Sequence, residues 1–555
     1  MSAIDPVEPA SEMFPVLTEA ELAKFRAVGA LRSLAAGELL YEQGDPHIKM
    51  YVVDAGEIGL LHPHAHGEDS LAVIARGQFT GELNMLADTR SLVRARARTA
   101  ATVIEAEPAA LRALIAGDAA LGEKVLRAFI RRRGRLITDH FGDVVLIASQ
   151  HSAATFRIVQ FLTRNGRPYT LVDCDSDPAA PALLAEHDVT TADVPVVIYR
   201  GQRVMPKPSN EELAELFGFS AALDSQRIRD LIVVGAGPAG LSAAVYAASE
   251  GLDVLVVEAI APGGQAGTSS RIENYLGFPA GISGQDLAVR AYTQAIKFNA
   301  EVVIARDALA LDCAKRPFEI RLSGDTVVRA RSIVVASGAR YHKPAIPSLA
   351  LFEGVGIHYS ATALEARLCG ADEVIVVGGG NSAGQAAVYL AGFARKVYVM
   401  VRRSGLEATM SQYLITRIAQ APNIELLTET EVVALAGETE LAQVTSACRG
   451  VLTTRAIRHV FMMTGASPNT EWLAGCLAVD AQGFLVTGSE LTPAQLAGWP
   501  LERPPSLFET SVPGVFAVGD VRAGSVKRVA SAVGEGSVCI QLVHRAISEQ
   551  VAAGA

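Results

Sequence analysis

The sequence lacks long apolar runs and paired cysteines, and each absence excludes a class of protein. No uninterrupted apolar run approaches the ~20 residues that span a membrane. The first residues, MSAIDPVEPASEMF, carry neither a basic stretch nor an apolar one, so we expect a cytoplasmic rather than a secreted protein. No CxxC motif occurs among the six scattered cysteines, which are Cys174, Cys313, Cys369, Cys448, Cys476 and Cys539. We therefore expect neither a disulfide framework nor a metal site.

Positive charge is also scarce. The chain has 49 lysines and arginines against 59 aspartates and glutamates, which gives a formal net charge of −10. This balance argues against a general nucleic-acid binder. Half of the 555 residues are hydrophobic, enough for sizeable cores, and the length predicts roughly three or four domains.

The stretch from Leu231 to Glu258 predicts a dinucleotide site. An apolar run favours a buried strand at Leu231–Val234, and a helix and a second strand at Val254–Val257 follow it. The intervening turn has glycines where a tight bend, an approach to pyrophosphate and close helix–strand packing require them, and it consists of Gly235, Ala236, Gly237, Pro238, Ala239 and Gly240. Glu258 lies at the tip of the second strand, where a carboxylate accepts hydrogen bonds from a ribose.

A second unit of the same type begins at Val374. The strand Val374–Val377 precedes a GxGxxA turn with Gly378, Gly380, Asn381, Ser382 and Ala383, and a second strand spans Lys396–Val401. Its tip carries Arg402 and Arg403, whose guanidinium groups match a 2′-phosphate, so NADPH is favoured over NADH. The acidic Glu407 nearby is expected to weaken that preference.

From Arg229 onward the chain resembles thioredoxin reductase and related two-domain flavoproteins. The segments that carry the resemblance, besides the two turns, are Pro262–Gln265, Arg271–Tyr275, Ser332–Ala339, Gly514–Asp520 and Val526–Val529. The resemblance implies FAD, held by the first turn, Glu258, Gly264, Gln265, Asn274, Gly338, Gly519, Asp520, Arg528 and Val529. It also implies that NADPH binds at the second turn.

The redox centre of that family is missing. Its nicotinamide domain opens with a CATCD motif, whose cysteines take electrons from the flavin. Here the segment reads Tyr359-Ser360-Ala-Thr-Ala363-Leu364, so Ser360 and Ala363 replace both sulfurs and the acid is also replaced. Cys369 and Cys539 are each expected to be buried structural thiols.

Three functions remain open. We favour an NADPH-dependent FAD oxidoreductase that passes electrons to an external acceptor. The alternatives are a non-catalytic sensor of redox state and cyclic nucleotide, and a reductase of an external disulfide such as that of thioredoxin.

Near the N-terminus, Gly77–Val93 resembles the phosphate-binding cassette of cyclic nucleotide-binding domains. The resemblance implies that Glu82 contacts a ribose hydroxyl, and that Arg90 and Ser91 hold a cyclic phosphate with the backbone near Gly81 and Leu83. We expect cAMP or cGMP to bind as a regulator; the alternative is a barrel that keeps the cassette without a ligand. The basic run Arg131–Arg135 is interpreted as a charged helix end.

Residues 143–220 resemble glutaredoxin and thioredoxin folds. The strands Val144–Ala148, Tyr169–Asp173 and Val196–Tyr199, together with Asp193-Val194-Pro195 at a family cis-proline position, carry the resemblance. Where the family has CxxC, this chain reads Ser152-Ala-Ala-Thr155, so the module cannot exchange disulfides by that route. We interpret it as a docking or spacer domain.

These observations predict a multidomain fold: a β-barrel with helices, an α/β thioredoxin-like module, and an α/β flavoprotein with two dinucleotide-binding domains. The expected boundaries are 1–142 (cyclic nucleotide-binding-like), 143–220 (glutaredoxin-like), 228–347 and 469–555 (FAD-binding), and 348–468 (NADPH-binding). A homodimer is expected, and nucleic-acid and membrane partners are not. The Pro-rich segment 489–506 is a candidate for an acceptor entrance or a dimer contact.

Overall fold

The structure is a computed structural model that describes residues 10–45, 48–64, 67–81, 91, 93–138, 144–149, 152–219, 223–438 and 440–554. The described residues form two compact units. The first draws on 1–149, 158–223 and 293–306, and the second on 150–157, 224–292 and 307–555.

The first unit begins with two antiparallel sheets and flanking helices. Their bounds are α1 Ala10–Met13, α2 Glu19–Val28, β1 Ala30–Leu34, β2 Leu39–Tyr41, β3 Met50–Ala55, β4 Ile58–His64, β5 Gly67–Ile74, β6 Arg94–Ala97, β7 Ala101–Ala106, α3 Pro108–Gly117 and α4 Ala119–Thr138. The strand orders are β1-β7-β3 and β2-β6-β4-β5. Fully buried Val52, Val53, Val103 and Ile104 lie on paired strands, which explains why this short-stranded region folds around its own core.

A mixed α/β module follows in the chain. Its elements are β8 Val144–Ala148, α5 Ala153–Arg164, β9 Thr170–Asp173, α6 Ala180–Glu186, β10 Val196–Tyr199, β11 Arg203–Pro206 and α7 Asn210–Phe217. The strand order is β11-β10-β8-β9, with β8 parallel to β9 and antiparallel to β10. The Val194–Pro195 peptide is cis, as the resemblance implies. Strand bounds agree with the sequence-based ones to within one residue.

The first dinucleotide-binding region lies in the second unit, apart from the end of its helix α9 and the strand that follows. Its elements are β12 Ile228–Val234, α8 Pro238–Ser249, β13 Val254–Glu258, α9 Gly284–Lys297, β14 Glu301–Ile304, β15 Ala308–Asp312, β16 Phe318–Leu322, β17 Thr326–Val335 and β18 Ala339–Tyr341. Strand β12 is parallel to β13 and β17, while β15, β16 and β17 form an antiparallel meander. The predicted turn therefore lies at the carboxyl edge of a parallel sheet, the usual place for a nucleotide.

The second dinucleotide-binding region has its own parallel sheet. Its elements are β19 Ile357–His358, α10 Ala363–Cys369, β20 Glu373–Val377, α11 Asn381–Leu390, β21 Lys396–Met400, α12 Gln412–Gln420, β22 Ile424–Leu427, β23 Thr430–Ala436, β24 Gln443–Cys448, β25 Val451–Ala456, β26 His459–Met462 and β27 Ala466–Pro468. The parallel order is β19-β26-β20-β21-β22, and β23-β24-β25 form a separate antiparallel sheet. Strand β18, which precedes this region in the chain, pairs in antiparallel orientation with β27, its last strand.

The last elements, β28 Val515–Ala517 and α13 Val529–Gly554, return to the first dinucleotide-binding region. Strand β28 pairs in parallel with β17, and α13 packs against α8, where the Ser242 hydroxyl donates to the Val533 carbonyl at 2.8 Å. The first dinucleotide-binding region is thus built from two separated parts of the sequence. Within the described residues, no helix combines the length and apolarity needed to cross a bilayer.

Candidate functional site

The first glycine-rich turn has the shape of a pyrophosphate cradle. Gly235 has φ +105°, and a Cβ there would clash with the Ala336 carbonyl group. A Cβ on Gly240 would overlap the Gly235 carbonyl oxygen, so helix and strand are in direct contact. A Cβ on Gly237, by contrast, would meet only the Gly264 Cα, at 3.9 Å. The space beside Gly237, at the start of helix α8, is therefore open to a ligand.

Glu258 ends β13 as predicted, and it is buried. Its Oε2 accepts from the Ala236 N–H at 2.8 Å, and its Oε1 accepts from the N–H groups of Ile260 and Ala261 at 3.0 and 3.2 Å. A carboxylate has about four acceptor sites, so Oε2, which accepts from one donor, can accept from one more. The acid therefore fixes the turn and remains able to accept from a ribose.

The other predicted FAD residues converge on this turn to different degrees. Gly264 packs against Gly237, and the Gln265 side-chain amide donates to the Ala339 carbonyl oxygen. Gly338 follows β17, and a Cβ there would meet no other atom within 4 Å. Asn274 is exposed. Gly338 thus leaves open space near the turn and Gly264 packs tightly against it, whereas Asn274 has no hydrogen bond among the residues that the structure describes.

The C-terminal motif comes back to the first turn. A Cβ on Gly519 would lie 2.8 Å from the Ala239 side chain, so residues 280 positions apart in sequence are neighbours. On α13, Glu535 accepts from the Gly519 N–H at 2.7 Å and pairs with Arg522 at 2.6 Å. Burial raises the pKa of Asp520. Glu535 therefore holds the turn that presents the Asp520 carboxyl group.

Helix α13 begins at Val529, directly after Arg528, as the resemblance implies. Arg528 is exposed, and the Lys527 ammonium donates to the Asp520 carbonyl oxygen at 2.7 Å. The first residues of α13 therefore lie close to the Gly519–Asp520 turn.

The second glycine-rich turn repeats the geometry of the first. Gly378 has φ +142°, and a Cβ there would clash with the Met463 carbonyl group, whereas a Cβ on Gly380 would meet nothing within 4 Å. Helix α11 starts at Asn381, whose Oδ1 accepts from the Ser411 N–H at 2.7 Å. Ala383 is fully buried against the sheet. Gly380 is therefore the open position here, as Gly237 is in the first turn.

The two predicted arginines lie just beyond β21. Arg402 and Arg403 are both exposed, and neither side chain makes an ion pair with any residue that the structure describes. The Glu407 carboxylate folds over Gly405 in the same loop. The loop therefore offers two available cations and one nearby anion, as the sequence predicts.

A helix cap forms in the segment where the resemblance implies a dithiol. Thr362 immediately precedes α10, and the Glu365 carboxylate accepts from its N–H at 2.8 Å and from its hydroxyl. The Ser360 hydroxyl donates to the same carboxylate at 2.5 Å. Glu365 is 1% exposed, and Ala363 is the first residue of the helix. The segment is thus organised by a buried carboxylate and two hydroxyl groups.

Two histidines, His358 and His459, lie next to each other in the second dinucleotide-binding region. His358 Nε2 is 3.1 Å from His459 Nδ1, and the His358 ring lies 5.0 Å from the Phe461 ring. Burial lowers the pKa of His358 to about 3, and it also lowers the pKa of His459. Both imidazoles are therefore held neutral in the core of the second dinucleotide-binding region.

Contacts join the two dinucleotide-binding regions within the second unit. Arg417 on α12 pairs with Glu273 at 2.5 Å. Burial raises the pKa of Tyr341 and the Asp520 carboxylate adds to this, while a hydrogen bond with Ser382 lowers it. Ser382 thus contacts Tyr341 of β18, although it is itself exposed.

The predicted cyclic nucleotide cassette is described only at its ends. Glu82, Leu83 and Arg90 lie outside the described residues. Gly81 is buried, and Ser91 is 3% exposed, with its hydroxyl donating to the Val93 carbonyl at 2.6 Å.

The interpretation of Arg131–Arg135 as a charged helix end is wrong for Arg132. This residue is 5% exposed, and its guanidinium donates to the Gly81 carbonyl at 2.7 Å and to the Met13 carbonyl at 2.9 Å. It also stacks on the Phe14 and Phe79 rings. Helix α4 is thereby tied to Gly81 within the cassette.

The expectation of unpaired cysteines is also wrong. Cys313 and Cys476 form a disulfide, with their Cα atoms 5.9 Å apart. They are 163 residues apart in sequence, so no local spacing motif could reveal them. Cys369 and Cys539 are free and buried as predicted, and burial raises the pKa of Cys369 to about 12 and raises that of Cys539 as well.

The segment 489–506 is anchored near its end. Arg503 pairs with Glu509 and with Glu549 of α13, at 2.7 Å each, and the Trp499 ring N–H donates to the Arg503 carbonyl at 2.7 Å. The Glu509 side chain is fully buried. The two roles considered for this segment stay predictions.

Comparison with known proteins gives this geometry a family. Residues 229–536 match the family described as pyridine nucleotide-disulphide oxidoreductase. The chain belongs to this family. Residues 31–118 match the cyclic nucleotide-binding domain.

The similar oxidoreductases are thioredoxin reductases. That of Listeria monocytogenes is 30% identical over 327 residues, covering 58% of this chain and 95% of the relative. That of Streptomyces clavuligerus is 32% identical over 312 residues, covering 56% and 91%. The solved structure of Lactococcus lactis thioredoxin reductase is 26% identical with a TM-score of 0.52, covering 58% of this chain and 99% of that one. The chain is therefore an NAD(P)H-dependent FAD oxidoreductase of thioredoxin reductase-like architecture, fused to a cyclic nucleotide-binding domain.

The residues present fit the two nucleotides that this oxidoreductase family implies. Gly237 and Gly380 each leave the start of a helix open, which suits a pyrophosphate. The exposed Arg402 and Arg403 suit the additional phosphate of NADPH. Among the described residues, Asp173, Cys174 and Asp175 are the one group with three metal-ligand atoms close together, and they lie at the surface.

Sequence reasoning missed Glu365, Glu535 and Arg132. A signal existed for Glu365, because Thr362-x-x-Glu365 is a capping-box pattern before a helix. Glu535 and Arg132 act through contacts with residues far away in sequence, so no local pattern marks them.

Proposed function

We propose that this protein is an FAD-dependent NADPH oxidoreductase without an internal redox dithiol, that it passes electrons to an external acceptor, and that a cyclic nucleotide regulates it. The observation that carries the proposal is the sulfur-free helix cap at Ser360, Thr362 and Glu365, in the segment where the resemblance implies a redox pair. Hydroxyl and carboxylate groups do not undergo the reversible two-electron oxidation of a dithiol, so this segment cannot store electrons.

The residues that would hold FAD are those of the first turn and its neighbours. The N-terminus of α8 and the open face of Gly237 would receive the pyrophosphate. Glu258 would accept from the ribose, and Asp520, positioned by Glu535, would bind the ribityl chain. Asp520 is half-buried, so it would present its carboxyl group partly shielded from bulk water.

The residues that would hold NADPH are Gly380, at the start of α11, and the pair Arg402 and Arg403. The chemistry that the two nucleotides supply is hydride transfer from NADPH to FAD. The protein's part is to bind and orient them, since the segment at 360–365 supplies no further redox group.

The external acceptor is proposed to be a protein or a small molecule. The relatives are named thioredoxin reductases, which favours a protein disulfide as one acceptor and keeps external disulfide reduction as the second candidate. We further propose the four domains at the boundaries given above, the FAD-binding one in two segments, together with a homodimer and a cytoplasmic location.

Regulation would use Arg132. A ligand shifts an equilibrium only through different affinities for its two states. Arg132, on α4, donates to the carbonyl of Gly81 within the cassette, and α4 leads in sequence to the glutaredoxin-like module. Movement of the cassette on binding cAMP or cGMP would therefore be transmitted to α4 through this hydrogen bond.

Steady-state NADPH oxidation with a panel of acceptors tests the catalytic proposal. The panel comprises quinones, ferricyanide, ferredoxin and oxidised thioredoxin. We expect turnover with at least one acceptor other than oxygen. Turnover with thioredoxin alone would support the second candidate, and no turnover with any acceptor, in protein that carries reducible FAD, would support the sensor.

Calorimetry with cAMP and cGMP, followed by turnover with and without the nucleotide, tests the regulation. Arg90→Ala should abolish binding, whereas Arg132→Met should retain binding but lose most of the effect on turnover. Arg131→Met is the matched control, because Arg131 pairs with Glu12. A typical coupling of ~1–3 kcal/mol corresponds to a roughly 5- to 150-fold change in population. Absence of binding to the intact chain would make the barrel a scaffold.

A further inference from the structure

A groove in the FAD-binding region has a disulfide in its wall. The groove has a volume of about 660 Å³, and its lining includes Asp312, Cys313, Lys315, Arg321, Gly475 and Cys476. It lies on the outer meander, at the end of β15. The disulfide between Cys313 and Cys476 is therefore next to a space large enough for a peptide loop or a small thiol.

The two cysteines come from segments that are distant in sequence. Cys313 directly follows β15, and Cys476 follows the short helical turn Glu471–Leu473. Both residues are partly exposed, whereas the free thiols of Cys369 and Cys539 are 0% exposed. Solvent can therefore reach the disulfide, whereas it cannot reach the thiols of Cys369 and Cys539.

We propose that Cys313–Cys476 is a thiol–disulfide exchange site for an external dithiol. A thiolate of the dithiol attacks Sγ of Cys476, the bond between the two cysteines breaks, and Cys313 leaves as a thiolate and takes up a proton. The second thiol of the reductant then attacks the mixed disulfide and releases Cys476. Two electrons and two protons pass to the protein, and the external dithiol becomes a disulfide.

The surroundings select the attacked sulfur. Cys476 is approached along exposed Ala474 and Gly475, so its side of the bond is open. Cys313 is beside Arg316, whose guanidinium donates to the Cys313 carbonyl oxygen at 2.9 Å and forms no ion pair within the described part of the chain. A nearby cation favours a thiolate, and a better thiolate is a better leaving group.

Other charges near the bond are largely paired. Lys315 lies 2.6 Å from Glu319 and 3.7 Å from Asp312, and Glu319 also pairs with Arg329 at 2.9 Å, so these four groups balance in charge. Arg321 lines the same groove and, like Arg316, makes no ion pair within the described part of the chain. Of these two arginines, Arg316 is the one that contacts the Cys313 backbone.

The site differs from the electron route of the proposed function. It takes electrons from an external dithiol without NADPH, so its test does not depend on the acceptor. In a reducing compartment, which is the location proposed above, a reachable disulfide is usually transient and redox-sensing rather than a permanent crosslink.

Thiol labelling of the folded full chain tests the site. Cys174→Ser and Cys448→Ser together form the background, because they remove the free thiols that are not buried. We expect iodoacetamide and mass spectrometry to find no labelled thiol in this variant after air oxidation. After treatment with dithiothreitol or reduced thioredoxin, without denaturant, two labelled thiols are expected, at Cys313 and Cys476. The background with Cys313→Ser and Cys476→Ser added should show none in either state.

Trapping of a monothiol tests the direction of attack. In the same background, reduced glutathione followed by acid quenching should be found as a mixed disulfide on Cys476 at least about tenfold more often than on Cys313, as peptide mass spectrometry measures. Three results would overturn the proposal. They are a disulfide that dithiothreitol opens only after unfolding, two thiols that remain free after oxidation, and glutathione found equally or more often on Cys313.

Discussion

At the first glycine-rich turn the following strand ends in a buried carboxylate, whereas at the second it is followed by two exposed arginines. The turns themselves are alike: Gly237 and Gly380 both leave space at a helix start. Glu258 accepts hydrogen bonds from three backbone N–H groups, whereas Arg402 and Arg403 make no ion pair among the described residues. Under the proposed function, the glycines make room for a dinucleotide at each turn, and the residues at the strand tip decide which dinucleotide binds.

The two regions also differ in where sulfur is placed. The FAD-binding region holds the disulfide Cys313–Cys476, on its outer meander. The NADPH-binding region has a capping box at Thr362 and Glu365, in the segment where the resemblance implies a dithiol. Under the proposed function, hydride would enter at the two turns, and electrons would leave by a route other than a dithiol of the NADPH-binding region.

Filling the open position of either glycine-rich turn with a larger side chain should have the largest effect. Gly237→Val should yield protein without flavin, because the side chain fills the space beside the start of α8. Gly380→Val should yield yellow protein with one FAD per chain but with NADPH reduction slowed on the order of 100-fold, the cost of a misplaced reactant. Absorbance spectra and stopped-flow reduction check both, and each variant is the control for the other. Full flavin content in Gly237→Val would remove the assignment of the first turn.

Neutralising the arginines at the second strand tip should affect NADPH alone. Arg402→Gln or Arg403→Gln should cost about 1–3 kcal/mol in kcat/KM for NADPH, the scale of a charged hydrogen bond, with little change for NADH. Arg395→Gln is the matched control, since Arg395 is exposed on the same region but precedes β21 and pairs with Glu373. Equal losses for NADPH and NADH would make the two arginines structural.

Acid should destabilise the NADPH-binding region through His358. Its pKa is lowered to about 3 in the fold, so the unfolded chain binds the proton first as pH falls below about 6.5. Stability is therefore present at neutral pH and falls on acidification, by about 2 kcal/mol between pH 7 and pH 5.

Hydrogen exchange in β26 as a function of pH measures this loss. His358→Phe, which can stack on Phe461, should flatten the profile, and His342→Gln, at an exposed position, should leave it unchanged. A wild-type profile as flat as that of His358→Phe would be incompatible with a neutral buried imidazole.

Removing the cap that replaced the dithiol should have the smallest effect. Glu365→Ala leaves the Thr362 N–H and the Ser360 hydroxyl without their acceptor, and it should cost about 1–2 kcal/mol in the stability of α10. Flavin content should not change. Glu212→Ala, in the exposed capping box of α7, is a comparison that should cost less. Loss of flavin reduction in Glu365→Ala, with stability retained, would mean that this carboxylate takes part in electron exit.

Much of the fold could be predicted because its signals are local. Glycines at fixed spacing, apolar β-branched runs and the strand-tip residues place both turns, and strand bounds such as Val196–Tyr199 agree residue for residue. The helix end at Gly251, with φ +88°, follows from the same local chemistry.

What could not be predicted depends on contacts across long stretches of sequence. Arg132 belongs to a run that looks solvent-exposed, and it is buried because Gly81 and two aromatic rings meet it. Cys313 and Cys476 pair because the chain returns to the FAD-binding region after the NADPH-binding region. Arg503 is fixed by Glu549, 46 residues later.

Anaerobic titration with NADPH tests the central claim most directly. The flavin should be fully reduced by one NADPH, two electron equivalents per chain, with no thiol labelled by iodoacetamide at Cys313 or Cys476 afterwards. The variant with Ser360→Cys and Ala363→Cys, which restores sulfur at both replaced positions, is the positive control and should consume two. A wild-type chain that consumes two NADPH per flavin would contradict the account, because electrons would then reach a second, internal redox group.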